Sequence, residues 1–266
     1  MNASCTDLCK NCEDSTCQNL EKASDEDPDQ PDSEWIGKGV CLKLVNSGAK
    51  VIAVSKSKES LDELAKKNPN IEPIAVDLDS WSETRKALSN IGPVDGLVNN
   101  AAIAKINHFF DITENDIDSS FSVNVKAAIN VAQIVAKGMA ERGKGSIVNI
   151  SSQSAMKGHE DHTIYCGTKA ALDGVTRVMA LELGKYNIRT NCVNPTIVLT
   201  KMGRNWWSEP SRGEPALERI PLGRFAEVDE VADAVMFLLS DNSAMINGIS
   251  LLIDGGHVAS PYRASK

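Results

Sequence analysis

A single α/β domain built on a doubly wound parallel sheet is the fold predicted here, on three observations. Short apolar runs recur from Val51 to Ile253, stretches with helical spacing separate most of them, and 266 residues with 42% hydrophobic content suffice for one sizeable core. Runs such as Val51-Ile-Ala-Val54 lack the alternation of a strand with one wet face. They read as strands covered on both sides, and the helices between them imply right-handed crossovers.

Taken in order, residues 1–34 hold ten acidic and two basic side chains, a net of −8 that equals the charge of the whole chain. Their end, Ala23-Ser-Asp-Glu-Asp-Pro-Asp-Gln-Pro-Asp-Ser33, has too few bulky apolar residues to offset its ordering entropy, so a disordered acidic tail is expected. Cys5, Cys9, Cys12 and Cys17 fall in that tail as C-x3-C-x2-C-x4-C. Such spacing could gather zinc or an iron–sulfur cluster, but no His accompanies it and no periodic element would hold the site. Reduced thiols and no metal are the expectation.

Beyond Trp35 the strand-like runs are Val51–Val54, Ile74–Val76, Gly96–Val98, Ser146–Ile150, Arg189–Val193 and Ser250–Ile253, which set a folded domain at 35–258 before a short tail at 259–266. Residues 35–266 carry 26 basic and 26 acidic residues, with no basic stripe for nucleic acid. Its longest apolar run, Ala234–Leu239, falls far short of the roughly 18 residues of a membrane span. The start lacks the basic and apolar regions of a signal peptide, so a cytoplasmic protein is expected, with Cys41, Cys166 and Cys192 reduced.

The chemistry is concentrated in Ile164-Tyr-Cys-Gly-Thr-Lys169, just after the run that ends in Ser151 and Ser152. On a helix, Tyr165 and Lys169 share a face, so one ammonium stands beside the phenol and a bound ligand at once. A cation favours phenolate and brings the phenol closer to useful proton transfer at neutral pH. Ser152, at the end of a strand, could hold the same substrate oxygen. The trio suits making or breaking an alcohol. An exposed Tyr beside a solvated Lys is the commonplace alternative, and the accompanying motifs weigh against it.

Those motifs are Asn99-Asn-Ala-Ala102, Asn124, Asn194-Pro-Thr196 and Asp254-Gly-Gly256. With Ser152, Tyr165 and Lys169 they resemble, in order and spacing, the short-chain dehydrogenase/reductase family, from about Ile36 to His257. The resemblance implies a Rossmann-like sheet, a nicotinamide dinucleotide at its carboxyl edge and Asn124, Ser152, Tyr165 and Lys169 as the catalytic set. It implies cofactor contacts from Gly37, Ser55, Lys56, Asp77, Leu78, Asn99, Asn100, Ala101, Val198 and Thr200, together with Tyr165 and Lys169. Ser55-Lys56 stands where relatives using NAD place an acid, and a Ser with a cation suits the 2′-phosphate of NADP(H). Lys56 could instead be a solvated surface charge, and Asp77 a cap for the helix at Ser80-Trp-Ser-Glu83. Ala102 departs mildly from the family's usual Gly.

On the substrate side, Gln153, His162, Trp207 and Met202-Gly203 resemble the branch of the family that reduces L-xylulose and dicarbonyls, with Ser152, Gln153, His162 and Trp207 around a polyol or diketone. A homo-oligomer, dimer or tetramer, is implied as well, with no nucleic-acid or membrane partner.

One departure is large. The family opens with a strand and a Thr-Gly-x-x-x-Gly-Ile-Gly turn that lets phosphates approach a helix N-terminus. Here only Trp35-Ile-Gly-Lys-Gly39 remains, after Asp29-Gln-Pro-Asp-Ser-Glu34. Local acids repel pyrophosphate, Pro31 removes a donor, and Trp35 stands in place of a Gly. The first strand is therefore expected to be absent, leaving two unpaired edges at mid-sheet. The leading functional expectation is an NADPH-linked carbonyl reductase. The alternative is a non-catalytic subunit, or a truncated splice or gene-model variant, and nucleotide affinity separates the two.

Overall fold

The computed structural model describes residues 18–22 (as backbone), 35–200, 204 and 207–259. Cys5, Cys9, Cys12, Cys17, Met202, Gly203 and residues 260–266 lie outside the described residues.

The expected doubly wound sheet is present. Strands β1 (Gln18–Lys22), β2 (Lys50–Ser55), β3 (Ile71–Ala75), β4 (Gly96–Asn99), β5 (Gly145–Ile150), β6 (Ile188–Pro195) and β7 (Ser250–Ile253) form one sheet in the order 3-2-1-4-5-6-7. Every pairing between neighbours is parallel. Helices α1 (Ile36–Asn46), α2 (Lys58–Lys67), α3 (Trp81–Ala87), α4 (Glu114–Phe121), α5 (Ala127–Arg142), α6 (Thr163–Leu183), α7 (Pro210–Leu217) and α8 (Val228–Leu239) supply the connections.

The expectation of an empty central slot is corrected. Gln18–Lys22 fills it, with Leu20 in register with Ile52 of β2 on one side and Leu97 of β4 on the other. The physical reason is that ladder hydrogen bonds use backbone donors and acceptors, which any non-proline residue offers, and two inner strand edges demand them. A search for apolar periodicity passes over Gln-Asn-Leu-Glu-Lys because it holds one bulky apolar residue. The acidic tail expected over residues 1–34 therefore contains a strand of the sheet.

Alternate strand residues feed two cores. Ile52, Val54, Leu97 and Ile147 join Val131, Val135 and Met139 of α5 on one face. Val51, Ala53, Val98 and Val148 join Val40 and Leu44 of α1 and Val235 and Leu238 of α8 on the other. This period of two is why the apolar runs are continuous rather than alternating. Pro73 is tolerated because β3 is an edge strand that pairs only with β2.

Two glycine sites explain motif residues. A Cβ on Gly39 would come within 2.2 Å of Val228 Cγ1, so Gly39 serves the close approach of α1 to α8. In the loop after β7, Gly255 and Gly256 adopt φ of 59° and 88°, and a Cβ on Gly255 would meet Ile220 Cγ2 at 2.7 Å. The Asp254 carboxylate closes that turn, accepting from Gly256 N at 2.9 Å and Val258 N at 2.7 Å.

Candidate active site

The polar centre sits where β5 and β6 end and one face of α6 covers them. Ile164, Thr168, Lys169, Leu172, Asp173 and Thr176 are the buried residues near the start of α6, at the spacing of a helix face turned inward. Lys169, 2% exposed, donates from Nζ to the carbonyl of Ile150, the last residue of β5, at 2.9 Å. Its Nζ stands 5.6 Å from the centre of the Tyr165 ring. Burial lowers the Lys169 ammonium to about 8. An ammonium has three donors, and Ile150 takes one of them.

Ser152 follows two residues after that carbonyl. Its Oγ accepts from Ser154 N at 3.1 Å, which leaves the hydroxyl proton for a substrate oxygen. Its own carbonyl accepts from Asn194 Nδ2 at 2.9 Å, and the same amide donates to Asp173 Oδ2 at 3.0 Å. One amide thus ties the Ser152 backbone to α6.

Asn124 lies in a π-helical turn, Ser122–Lys126, between α4 and α5. Such single turns often mark functional positions. Its side chain holds the Ile103 backbone from both sides, accepting from N at 2.8 Å and donating to O at 2.9 Å, and Nδ2 also donates to Thr168 Oγ1 at 2.9 Å. Thr168 Oγ1 in turn donates to the Tyr165 carbonyl at 2.9 Å. Three of the four proposed catalytic positions, Asn124, Tyr165 and Lys169, are thereby joined through α6, and Ser152 is joined to α6 by Asn194.

A second network lies beneath. Asn99 Nδ2 donates to Asn149 Oδ1 at 2.8 Å, and Asn149 Nδ2 donates to Thr176 Oγ1 at 2.8 Å. Sequence reading missed Asn149, Thr168, Asp173 and Thr176. The available signals were an Asn inside the apolar run of β5 and polar residues recurring with Lys169 on one helix face.

At the other end of the edge, Lys56 Nζ stands 3.1 Å from Asp77 Oδ2, so two residues assigned to the cofactor meet each other just beyond β2 and β3. The capping alternative for Asp77 fails, because Ser80 caps α3, its side chain accepting from Glu83 N at 3.4 Å. Ser55, Leu78, Asn99 and Asn100 are buried and Ala101 is half-buried, while Gly37 is buried in the first turn of α1, which carries no acidic residue. Val198 bridges to Ala226, and Thr200 N donates to Val198 O at 2.9 Å.

These groups fit a nicotinamide dinucleotide at both ends: a cation and small or amide side chains toward the adenosine, and a buried ammonium with donors to spare toward the nicotinamide ribose. Among the substrate candidates, His162 stacks edge-on to Tyr165 at 6.3 Å. Gln153 is buried, its Oε1 without a hydrogen-bond partner among the described residues. Trp207 rests on buried Phe225, ring centres 5.5 Å apart.

Known proteins resemble this chain over most of its length. A family model described as enoyl-(acyl carrier protein) reductase matches residues 33–258. The mouse L-xylulose reductase is 52% identical over 225 residues, 84% of this chain and 92% of that protein. Pig carbonyl reductase [NADPH] 2 is 46% identical over 85% of this chain and 93% of its own length. A gluconate 5-dehydrogenase from Burkholderia cenocepacia, solved with NADP and tartrate, superimposes with a TM-score of 0.83 at 26% identity, covering 92% of this chain and 96% of that one.

Proposed function

This chain belongs to the short-chain dehydrogenase/reductase family, and on that premise we propose that it is an NADPH-dependent carbonyl reductase of the L-xylulose or dicarbonyl type. It is an oxidoreductase, as its named relatives are. The observation that carries the proposal is the buried Lys169 ammonium, fixed on the end of β5 and 5.6 Å from the Tyr165 ring. NADP(H) is supported by the names of the pig relative and the Burkholderia structure and by Lys56 at the carboxyl edge.

In this reading Lys56, Asp77, Asn99, Asn100, Ala101 and Lys169 hold the dinucleotide, which when bound supplies a hydride to the carbonyl carbon. Ser152 Oγ–H holds the substrate oxygen. Tyr165 donates its phenolic proton to that oxygen, and the Lys169 cation stabilises the phenolate left behind. Asn124 keeps Ile103 and Thr168 in place and so supports the return of the proton. His162, Gln153 and Trp207 are assigned to the substrate. The reading includes a homo-oligomer: Phe109 and Phe110, 65% and 86% exposed, are apolar surface that a second copy would cover.

The test is NADPH oxidation with L-xylulose and with a small α-diketone, in the parent and in Tyr165→Phe. The variant should lose about 10³-fold in kcat, the worth of a positioned general acid, while NADPH binding is retained. Turnover comparable to the parent would remove Tyr165 from the role.

A further inference from the structure

Three of the chain's four histidines stand in a row that ends at Tyr165. His162 is 6.3 Å from the Tyr165 ring, His159 is 5.8 Å from His162, and His257 is 6.3 Å from His159. They come from two separate loops. His159 and His162 lie on the connection from β5 to α6 that also carries Ser152 and Gln153, whereas His257 lies on the loop after β7.

The His257 side is rigid. Its backbone N donates to Asp254 O at 3.1 Å within the turn closed by the Asp254 carboxylate, and Gly256 packs on Pro221 so tightly that a Cβ would meet Pro221 Cγ at 3.1 Å. The ring is 3% exposed, with Nδ1 3.5 Å from Thr196 Oγ1. On the His159 side, Asp161 holds φ at +62°, a sparsely populated position for a non-glycine residue, and its carbonyl accepts from Asn107 N at 3.1 Å.

The Nε2 atoms of His159 and His257 are both buried and have no hydrogen-bond partner among the described residues. Being shut off from solvent, they are not presented to substrate, and their rings pack between the two loops. The charged groups that bear on His159 are His162, His257, Lys157 and Arg219. Those that bear on His257 are Lys157, Arg219 and Asp254, whose two oxygens already accept backbone N–H groups. A proton on either ring would place a further cation near Lys157 and Arg219 in a partly desolvated setting, opposed at His257 by the Asp254 carboxylate.

We propose that His159 and His257 are positioning residues: packed as neutral rings, they clasp the loop between β5 and α6, which carries Ser152 and Gln153, to the loop after β7, and release it when either ring takes up a proton. This rests on the reading that Ser152 and Tyr165 carry the reduction. Burial, then neighbouring positive charge, holds both imidazoles below their ordinary value. The sign follows. An opened loop binds the proton more readily than the clasped one, so the clasp is complete above the ordinary histidine value of about 6.5 and weakens as pH falls through and below it.

Hydrogen exchange of peptides spanning residues 152–165, corrected for intrinsic rate and referenced to α8, tests this at pH 7.5 and 5.5. Parent protection should fall about tenfold more in this segment than in the reference, one pH unit's worth of linkage, and the double variant His159→Phe with His257→Phe should show no such extra fall. The pH profile of kcat/KM should carry an acid limb in the parent that moves to lower pH in the variant. Should the variant not fold, the parent alone decides: in an NMR titration the imidazoles of His159 and His257 should titrate below the ordinary histidine value. Equal pH response in parent and variant, or four ordinary imidazoles, overturns the clasp. The exchange needs no turnover, so pH-dependent opening without ketone reduction sinks the reductase reading and keeps the clasp, and reduction without the opening does the reverse.

Discussion

Around the end of β5, side chains do the holding: Asn194 spans from Ser152 to Asp173, Asn124 from Ile103 to Thr168, and Asn149 from Asn99 to Thr176. At the centre of the sheet, β1 is placed by the register of its backbone against β2 and β4. The two regions should therefore fail differently. A single side-chain change at the catalytic end alters chemistry while the sheet stands. The central strand tolerates side-chain change but not the loss of a backbone donor.

The largest expected effect breaks the central strand. Leu20→Pro removes an N–H from a strand paired on both sides and should cost about 1–3 kcal/mol for the carbonyl left without its donor, read as a lower urea midpoint. Leu20→Ala keeps the ladder and should cost far less. Equal damage from both would mean that β1 is held by its side chains after all.

At the catalytic end, Lys169→Met should abolish reduction yet raise stability at neutral pH by about 1–3 kcal/mol, because it removes a buried cation. The pH dependence gives the sign. Lys169 titrates at about 8 when folded and at about 10.4 when unfolded, so the penalty on its charged form is complete below 8 and fades between 8 and 10.4. The stability gain of the variant should therefore shrink from pH 7 to pH 10. A gain that stays constant would show that the ammonium is not penalised by its surroundings.

The smallest expected effect lies at the exposed cofactor edge. Lys56→Asp places an acid opposite Asp77 and removes a cation from the 2′-phosphate position, so the ratio of kcat/KM for NADPH over NADH should fall about tenfold. An unchanged ratio would make the Lys56–Asp77 pair a surface contact only.

This contrast also explains what was legible in the sequence. Tyr165, Lys169, Ser152 and Asn124 stood out because the proposed chemistry needs particular residue types at fixed spacing. Six apolar runs located β2 to β7, most clearly β2, β4, β5 and β6, whose residues are buried almost throughout. Gln18-Asn-Leu-Glu-Lys22 left no such mark, because backbone pairing asks almost nothing of residue type. His159 and His257 were passed over for another reason: they are 98 residues apart, and only the turn set by Asp254, Gly255 and Gly256 brings them together. The placement of Trp207 against Phe225 depends on the same kind of long-range packing.

A fluorescence titration of NADPH into the intact chain bears most directly on whether a sheet completed by Gln18–Lys22 supports a working cofactor site. Lys56, Asp77 and Lys169 on a complete sheet should give saturable binding at micromolar level, around −8 kcal/mol, unchanged in Tyr165→Phe. No saturation at millimolar NADPH would contradict the account and leave the chain as a non-catalytic member of its family.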